Sequence, residues 1–205
     1  MKLDNINEVQ FDILKEIGNI GAGNATTALA KLIDSKLDMK VPNVKMVGFQ
    51  ELASIMGHEE EIMVAVLVSL SDDIDGMMMF VMDMKSARYL IKQMLKGMGM
   101  DMEFEESEML SDMEMSVVSE LGNIISGSYL AALSGLLQLV INISVPYVSV
   151  DMAGAILSVP AIEFGKVGDK VLLIQTKFGD DDVTGYFILI PEEESYAKMM
   201  KALGM

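Results

Sequence analysis

Two stretches decide how this chain is read: Asp12-Ile-Leu-Lys-Glu16-Ile-Gly18-Asn19-Ile-Gly-Ala-Gly23 and Ser116-Val-Val-Ser-Glu120-Leu-Gly122-Asn123-Ile-Ile-Ser-Gly127. An offset of 104 residues superimposes Glu16 on Glu120, Gly18 on Gly122, Asn19 on Asn123 and Gly23 on Gly127. The same offset carries Ala28 onto Ala132, Val41 onto Val145 and Pro42 onto Pro146. Further along, the register drifts to 109, which implies a five-residue insertion in the second copy, and Gly76 then matches Gly185. Self-similarity at a fixed offset marks a tandem duplication, here of a unit of about 100 residues, and it governs every later assignment.

Both copies predict the same elements. A long helix opens each, over 7–33 and 107–138. Asn7-x-x-Gln10 and Asn5-x-x-Glu8 offer capping signals for the first, and Ser111-x-x-Glu114 for the second. A strand entered near a proline follows, around Val41-Pro42 and Val145-Pro146, because proline is tolerated at the start or edge of a strand and not in its middle. A short helical or irregular segment comes next (49–57 and 152–163). Then come two hairpins, 61–70 with 77–82 and 170–178 with 185–190, and a closing helix over 84–97 or 192–203. The hairpin connections, Ser71-Asp-Asp-Ile-Asp-Gly76 and Gly179-Asp-Asp-Asp-Val-Thr-Gly185, carry the Asp and Gly that turns favour.

Adjacent β-β hairpins argue against a doubly wound parallel sheet. The predicted fold is α/β: two pseudo-symmetric repeats, about 5–100 and about 105–205, sharing a largely antiparallel sheet flanked by long helices within a single domain. Each repeat alone supplies about three strands, which is why one shared sheet is expected.

Composition narrows the functional classes. The 205 residues include 31 Asp+Glu against 15 Lys+Arg, a formal net charge of −16, so no nucleic-acid partner is expected. With 51% hydrophobic residues and a mean hydropathy of +0.37, the chain is globular despite its charge. It contains no Cys and a single His58, which excludes thiolate metal sites and cysteine nucleophiles and leaves almost no room for histidine-based triads. The N-terminal Met-Lys-Leu-Asp-Asn-Ile has no apolar signal core, and the apolar run Leu130–Val150 is interrupted by Ser134, Gln138, Asn142, Ser144 and Pro146. The run is read as core, and the expectation is a cytoplasmic monomer with no membrane insertion. The 21 methionines, including Met77-Met78-Met79 in a strand, are read as core filling.

At about 100° per residue, Asp12, Glu16, Asn19 and Gly23 share one narrow polar line on their helix. Ile13, Ile17, Ile20 and Ala28 form an adjoining apolar face expected to dock on the sheet. The second copy repeats the line as Ser116, Glu120, Asn123 and Gly127. A solvated helix face is the plain reading. Against it stand the survival of Glu-x-x-Asn and its downstream glycine in both copies, and three glycines (18, 21, 23) that each cost a helix up to about 1 kcal/mol relative to Ala. A carboxamide both donates and accepts hydrogen bonds, which makes it a poor base and a good positioner of water. Phosphoryl transfer needs an in-line water more than a strong base. Were the partner a phosphoprotein carrying its own Mg²⁺, this chain would need no cofactor.

The doubled pattern Asp/Ser-x3-Glu-x2-Asn-x22-Pro (Asp12, Glu16, Asn19, Pro42; Ser116, Glu120, Asn123, Pro146) resembles the signature of the CheC/CheX/FliY family of bacterial chemotaxis phosphatases, which act on phosphorylated CheY. The resemblance spans essentially the whole chain, and two intact motifs in about 200 residues are most similar to its CheC branch. It implies catalytic Glu16, Asn19, Glu120 and Asn123: each Glu pairs with a receiver lysine while each Asn orients the water attacking the aspartyl phosphate. Asp12, Ser116, Pro42 and Pro146 would support the placement of helix and strand. The implied partners are a phosphorylated CheY-type receiver, which holds the Mg²⁺, and the receptor deamidase CheD. For CheD the candidate contact is the insertion-bearing segment Asp151, Gly154, Ala155, Ile156 and Leu157, with a packed linker helix as the alternative. A non-catalytic adaptor resembling the FliM middle domain is the rival reading of the whole chain.

Overall fold

The computed structural model of the chain describes residues 8–33, 39–100, 107, 109–164, 170–179 and 183–203. Its elements follow the duplicated order: α1 (Glu8–Ile33), β1 (Met39–Gly48), α2 (Phe49–Met56), β2 (Ile62–Asp72), β3 (Gly76–Asp83), α3 (Met84–Gly97), then α4 (Asp112–Leu137), β4 (Ile141–Ile143), β5 (Tyr147–Met152), α5 (Ala153–Phe164), β6 (Lys170–Phe178), β7 (Val183–Pro191) and α6 (Glu193–Ala202). The second long helix starts at Asp112 rather than 107. Ser111 there accepts from the Glu114 amide while the Glu114 carboxylate accepts from the Ser111 amide, a reciprocal cap that fixes where helical geometry begins. The Asn5 and Asn7 capping signals and most of the turn at 180–182 lie outside the described residues.

One antiparallel sheet of seven strands runs β1-β6-β7-β3-β2-β4, with β5 also pairing β2. The halves are interleaved. The first strand of each half leaves its own hairpin and pairs with the other's: β1 with β6, and β5 with β2. At the centre β3 pairs β7 with Met79 opposite Ile188, two positions that the 109-residue offset makes equivalent, so a pseudo-twofold axis passes between them. Neither half could assemble its three strands side by side without the other.

The prolines interrupt these outer strands differently. Pro42 lies inside β1, at a register shift between Lys40 and Asn43, which an edge strand accommodates because the lost N–H need not pair. Pro146 breaks its strand outright, leaving β4 and β5 separated by residues 144–146. The strand expected to be entered near Pro146 is β5, which starts at the next residue, whereas Pro42 stands within β1 rather than at its start.

Strand side chains alternate between two cores with period two. Val64, Val66 and Val68 of β2, Met78, Phe80 and Met82 of β3, and Phe187 of β7 face the layer of α1, α3, α4 and α6. Met63, Ala65, Met77, Met79, Val81 and Ile188 face the smaller layer of α2 and α5. The methionine run thus fills both cores in turn. The run Leu130–Val150 is only partly core: Leu130, Leu133 and Leu137 are buried, whereas Val140, Val145 and Tyr147 are exposed.

Tyr129 of α4 anchors the larger core. Its ring lies 4.3 Å from Phe187, which stacks on Phe80 at 4.6 Å, and its hydroxyl is 3.0 Å from Thr176 Oγ1. Burial pushes the phenol up to about 12, with the Thr176 hydrogen bond opposing weakly. A raised folded-state value means that the unfolded chain ionises first. Stability is therefore whole below about pH 10 and falls as pH climbs towards 12, by up to about 2–3 kcal/mol from this group. In Tyr129→Phe the steepest part of that alkaline loss should flatten, although its neutral-pH stability drops because Thr176 loses its partner; chemical denaturation at pH 8, 10 and 11 would measure both.

Candidate functional site

The two long helices lie side by side on one face of the sheet, and their glycines explain how. A Cβ on Gly18 would stand 3.2 Å from Val41 and 3.6 Å from Ile174, and one on Gly122 would stand 2.4 Å from Val66, so both glycines bring their helix down onto the strands. A Cβ on Gly21 would lie 2.9 Å from the Tyr129 Cα, which makes this the point where α1 and α4 touch backbone to backbone. Two of the three glycines that cost α1 helix propensity therefore have a structural cause inside the chain. Gly23 has none. Among the described residues nothing comes within 4 Å of where its Cβ would be.

The remaining face of each helix points to solvent. Asp12, Glu16, Asn19 and Gly23 are exposed on α1, and Ser116, Glu120 and Asn123 are exposed on α4, with Gly127 half-buried near Ile143. Each Glu and Asn is three residues apart on an unbroken helix, so the two side chains leave adjacent turns in the same direction. The Ser116 hydroxyl donates to the Asp112 carbonyl at 2.9 Å and is held on its own helix. Thr27 likewise donates to the Gly23 carbonyl at 2.9 Å. Ile20 corrects the expected apolar face: it is 41% exposed beside Asn19, while the contacts with the core come from Leu14, Ile17, Ala22, Ala25 and Leu29. Its counterpart Ile124 is half-buried against the core.

The insertion-bearing segment lies on the other side of the sheet. Asp151, next to the last residue of β5, is exposed, and Gly154 and Ala155 are half-buried at the start of α5. Ile156 and Leu157 are 4% and 7% exposed, packed into the smaller core with Leu52 and Met56 of α2, so the expectation that they form an exposed contact is corrected. What is open there is a groove of about 300 Å³ between β5 and α5, bordered by Leu67, Tyr147, Asp151, Ala155, Val159 and the edge of Ile156, which sequence periodicity gave no means of locating.

Comparison with known proteins agrees with this geometry. The CheC-like family model matches residues 9–46 and 113–150, two segments at the 104-residue offset that each begin in a long helix and run into the proline-bearing strand. The CheY-P phosphatase CheC of Bacillus subtilis is 35% identical over 203 residues, covering 97% of this chain and 96% of that protein. The chain belongs to the CheC-like family. Among solved structures, FliY of Thermotoga maritima superposes with a TM-score of 0.73 at 25% identity, covering 97% of this chain and 98% of that one. The FliM middle domain of H. pylori superposes at 0.68 with 10% identity, covering 96% and 99%, and shows the shared fold.

The glycines separate packing from surface function by experiment. Gly21→Ala should lower stability by about 1–3 kcal/mol, because the new methyl meets helix backbone. Gly23→Ala should leave stability unchanged or raise it by up to about 1 kcal/mol, since only helix propensity changes. Urea denaturation of both variants tests the contrast; equal losses would place a packing constraint at Gly23 that the fold does not show.

Proposed function

We propose that the chain is a phosphatase that hydrolyses the aspartyl phosphate of a CheY-type receiver, working as one domain of two repeats (about 5–100 and 105–205). What carries this reading is the solvent-facing placement of both Glu/Asn pairs in a chain 35% identical over nearly its whole length to a CheY-P phosphatase. Glu16 and Glu120 each anchor a receiver lysine, and Asn19 and Asn123 reach beside the phosphoryl group. The amide oxygen accepts a hydrogen bond from a water while the amide N–H₂ donates, which fixes the water in line with phosphorus. Water oxygen bonds to phosphorus, the bond to the aspartyl oxygen breaks, the aspartate carboxylate is regenerated on the receiver and inorganic phosphate leaves with the water's protons; Mg²⁺ on the receiver would offset the charge. Gly23 leaves space beside Asn19 for the partner's backbone, and Asp12, Ser116, Pro42 and Pro146 position the helices and edge strands.

Phosphate release from a phosphorylated receiver decides the assignment. Asn19→Ala and Asn123→Ala should each retain the activity of the remaining site, and the double variant should fall to the receiver's own rate, a loss on the order of 10²-fold. Wild-type activity in the double variant would refute the roles given to the amides. No acceleration by the unaltered chain would favour the adaptor reading.

For the second partner, CheD, the groove beside α5 is the contact, with Asp151, Ala155 and Ile156 among its lining residues and the buried Leu157 left out. Ala155→Arg puts a long cation at the mouth of an apolar groove. It should abolish co-precipitation with CheD while leaving receiver dephosphorylation intact, and undiminished capture would move the contact elsewhere.

A further inference from the structure

We infer that the two sites face apart and are filled independently, so one chain holds two receivers at once. The inference rests on the receiver-docking reading above and adds a stoichiometry to it. Around α1, Gly18 faces the sheet and Gly21 faces α4. Asn19 lies two residues from Gly21, about 160° round the helix from the contact with α4, and Glu16 lies about 140° from it. Around α4, Glu120 is about 180° and Asn123 about 120° from Tyr129, the residue that meets α1. Each stripe therefore occupies the outer flank of its helix, turned away from both the sheet and the neighbouring helix.

Size decides whether this matters. From the crossing, Asn19 lies about 3 Å along α1 and Asn123 about 9 Å along α4, on axes 8–10 Å apart, so their places on the two axes are within about 15 Å of each other. A partner domain of ~120 residues has a radius of gyration of about 13–14 Å and so a diameter of roughly 35 Å. Two such domains docked along parallel directions 15 Å apart would collide. Each stripe, averaged over its Glu and Asn, tilts about 60–80° from the outward normal, which turns the two docking directions apart by on the order of 140° and moves the docked centres to roughly 45 Å. Both then fit.

The test is a titration of the full chain with a CheY-type receiver held in its phosphorylated form by beryllofluoride and Mg²⁺, read by calorimetry and by the sedimenting mass of the complex. Wild type should take two receivers, Glu16→Lys and Glu120→Lys one each, and the double variant none. Circular dichroism checks that the variants fold, with Glu16→Gln and Glu120→Gln as substitutes if a charge reversal does not. One receiver on wild type with one still bound by each single variant would mean mutual exclusion: the inference fails while the phosphatase reading stands. One receiver on wild type, lost in only one of the single variants, would leave one stripe without a docking role and also overturn it. Binding that the double variant retains, or no binding at all, removes the docking reading itself.

Discussion

Every feature of the site follows from one demand on the long helices: with 3.6 residues per turn, each must satisfy a sheet, a second helix and the solvent over the same few turns. The contact at Gly21 and Tyr129 fixes the rotation of both. Once Gly21 faces α4 and Gly18 faces Val41 and Ile174, only one flank of α1 is left for water, and it holds Glu16 and Asn19. The partition is uneven between the halves. Under the 104-residue offset, Gly21 and Ala25 of α1 correspond to Ile125 and Tyr129 of α4, so small residues in one half accommodate large ones in the other. A strictly symmetric pair of helices, both carrying Ile and Tyr there, could not approach this closely.

The interleaved sheet explains why the duplication persists as one structure. Because β1 pairs with β6, β4 and β5 with β2, and β3 with β7, separating the halves would expose both edges of each hairpin and leave β1, β4 and β5 unpaired. A break in pairing at one edge is tolerable where neighbours hold the rest, and the two prolines lie here, Pro42 within β1 and Pro146 between β4 and β5. The irregularities they cause are unequal, and the second has a consequence for the site. The break at 144–146 sets β4 apart, and Ile143 at its end comes to 3.9 Å from where a Cβ on Gly127 would be. Gly23 has no such neighbour. The two polar stripes are thus alike in their amides and carboxylates and different in the space beside them.

Much of this was legible in the chain before any coordinates. The repeat, the element order, the Ser111 cap and the solvent-facing line of Glu and Asn all depend on local periodicity or self-similarity, which a sequence displays directly. The exchange of first strands was not legible, because strand partners are chosen by long-range packing and a hairpin pattern is silent about its outer neighbours. Ile20 was misread for a related reason: a 100° rule assigns a face but cannot say how wide the contact is, and the close approach at Gly21 turns Ile20 out of it. Ile156 and Leu157 were misplaced because a run of small and apolar residues reads alike whether it packs against a sheet or waits for a partner.

The glycines show how such ambiguities resolve. All three in α1 carry the same propensity cost, and counting them suggests a common cause. The structure divides them into two that bring backbones together within the fold and one that faces empty space. A residue whose cost is offset inside the molecule says nothing about partners. Gly23 is different: its absent side chain relieves no contact among the described residues, and it lies one turn beyond Asn19 on the exposed line. The space it leaves is useful only to something that approaches from outside, close enough that even a methyl group would be felt. On the function proposed above, an amide only two bonds from its Cα would have to reach a phosphoryl group held by another protein, and the short reach of Asn would be made up by bringing the two backbones together.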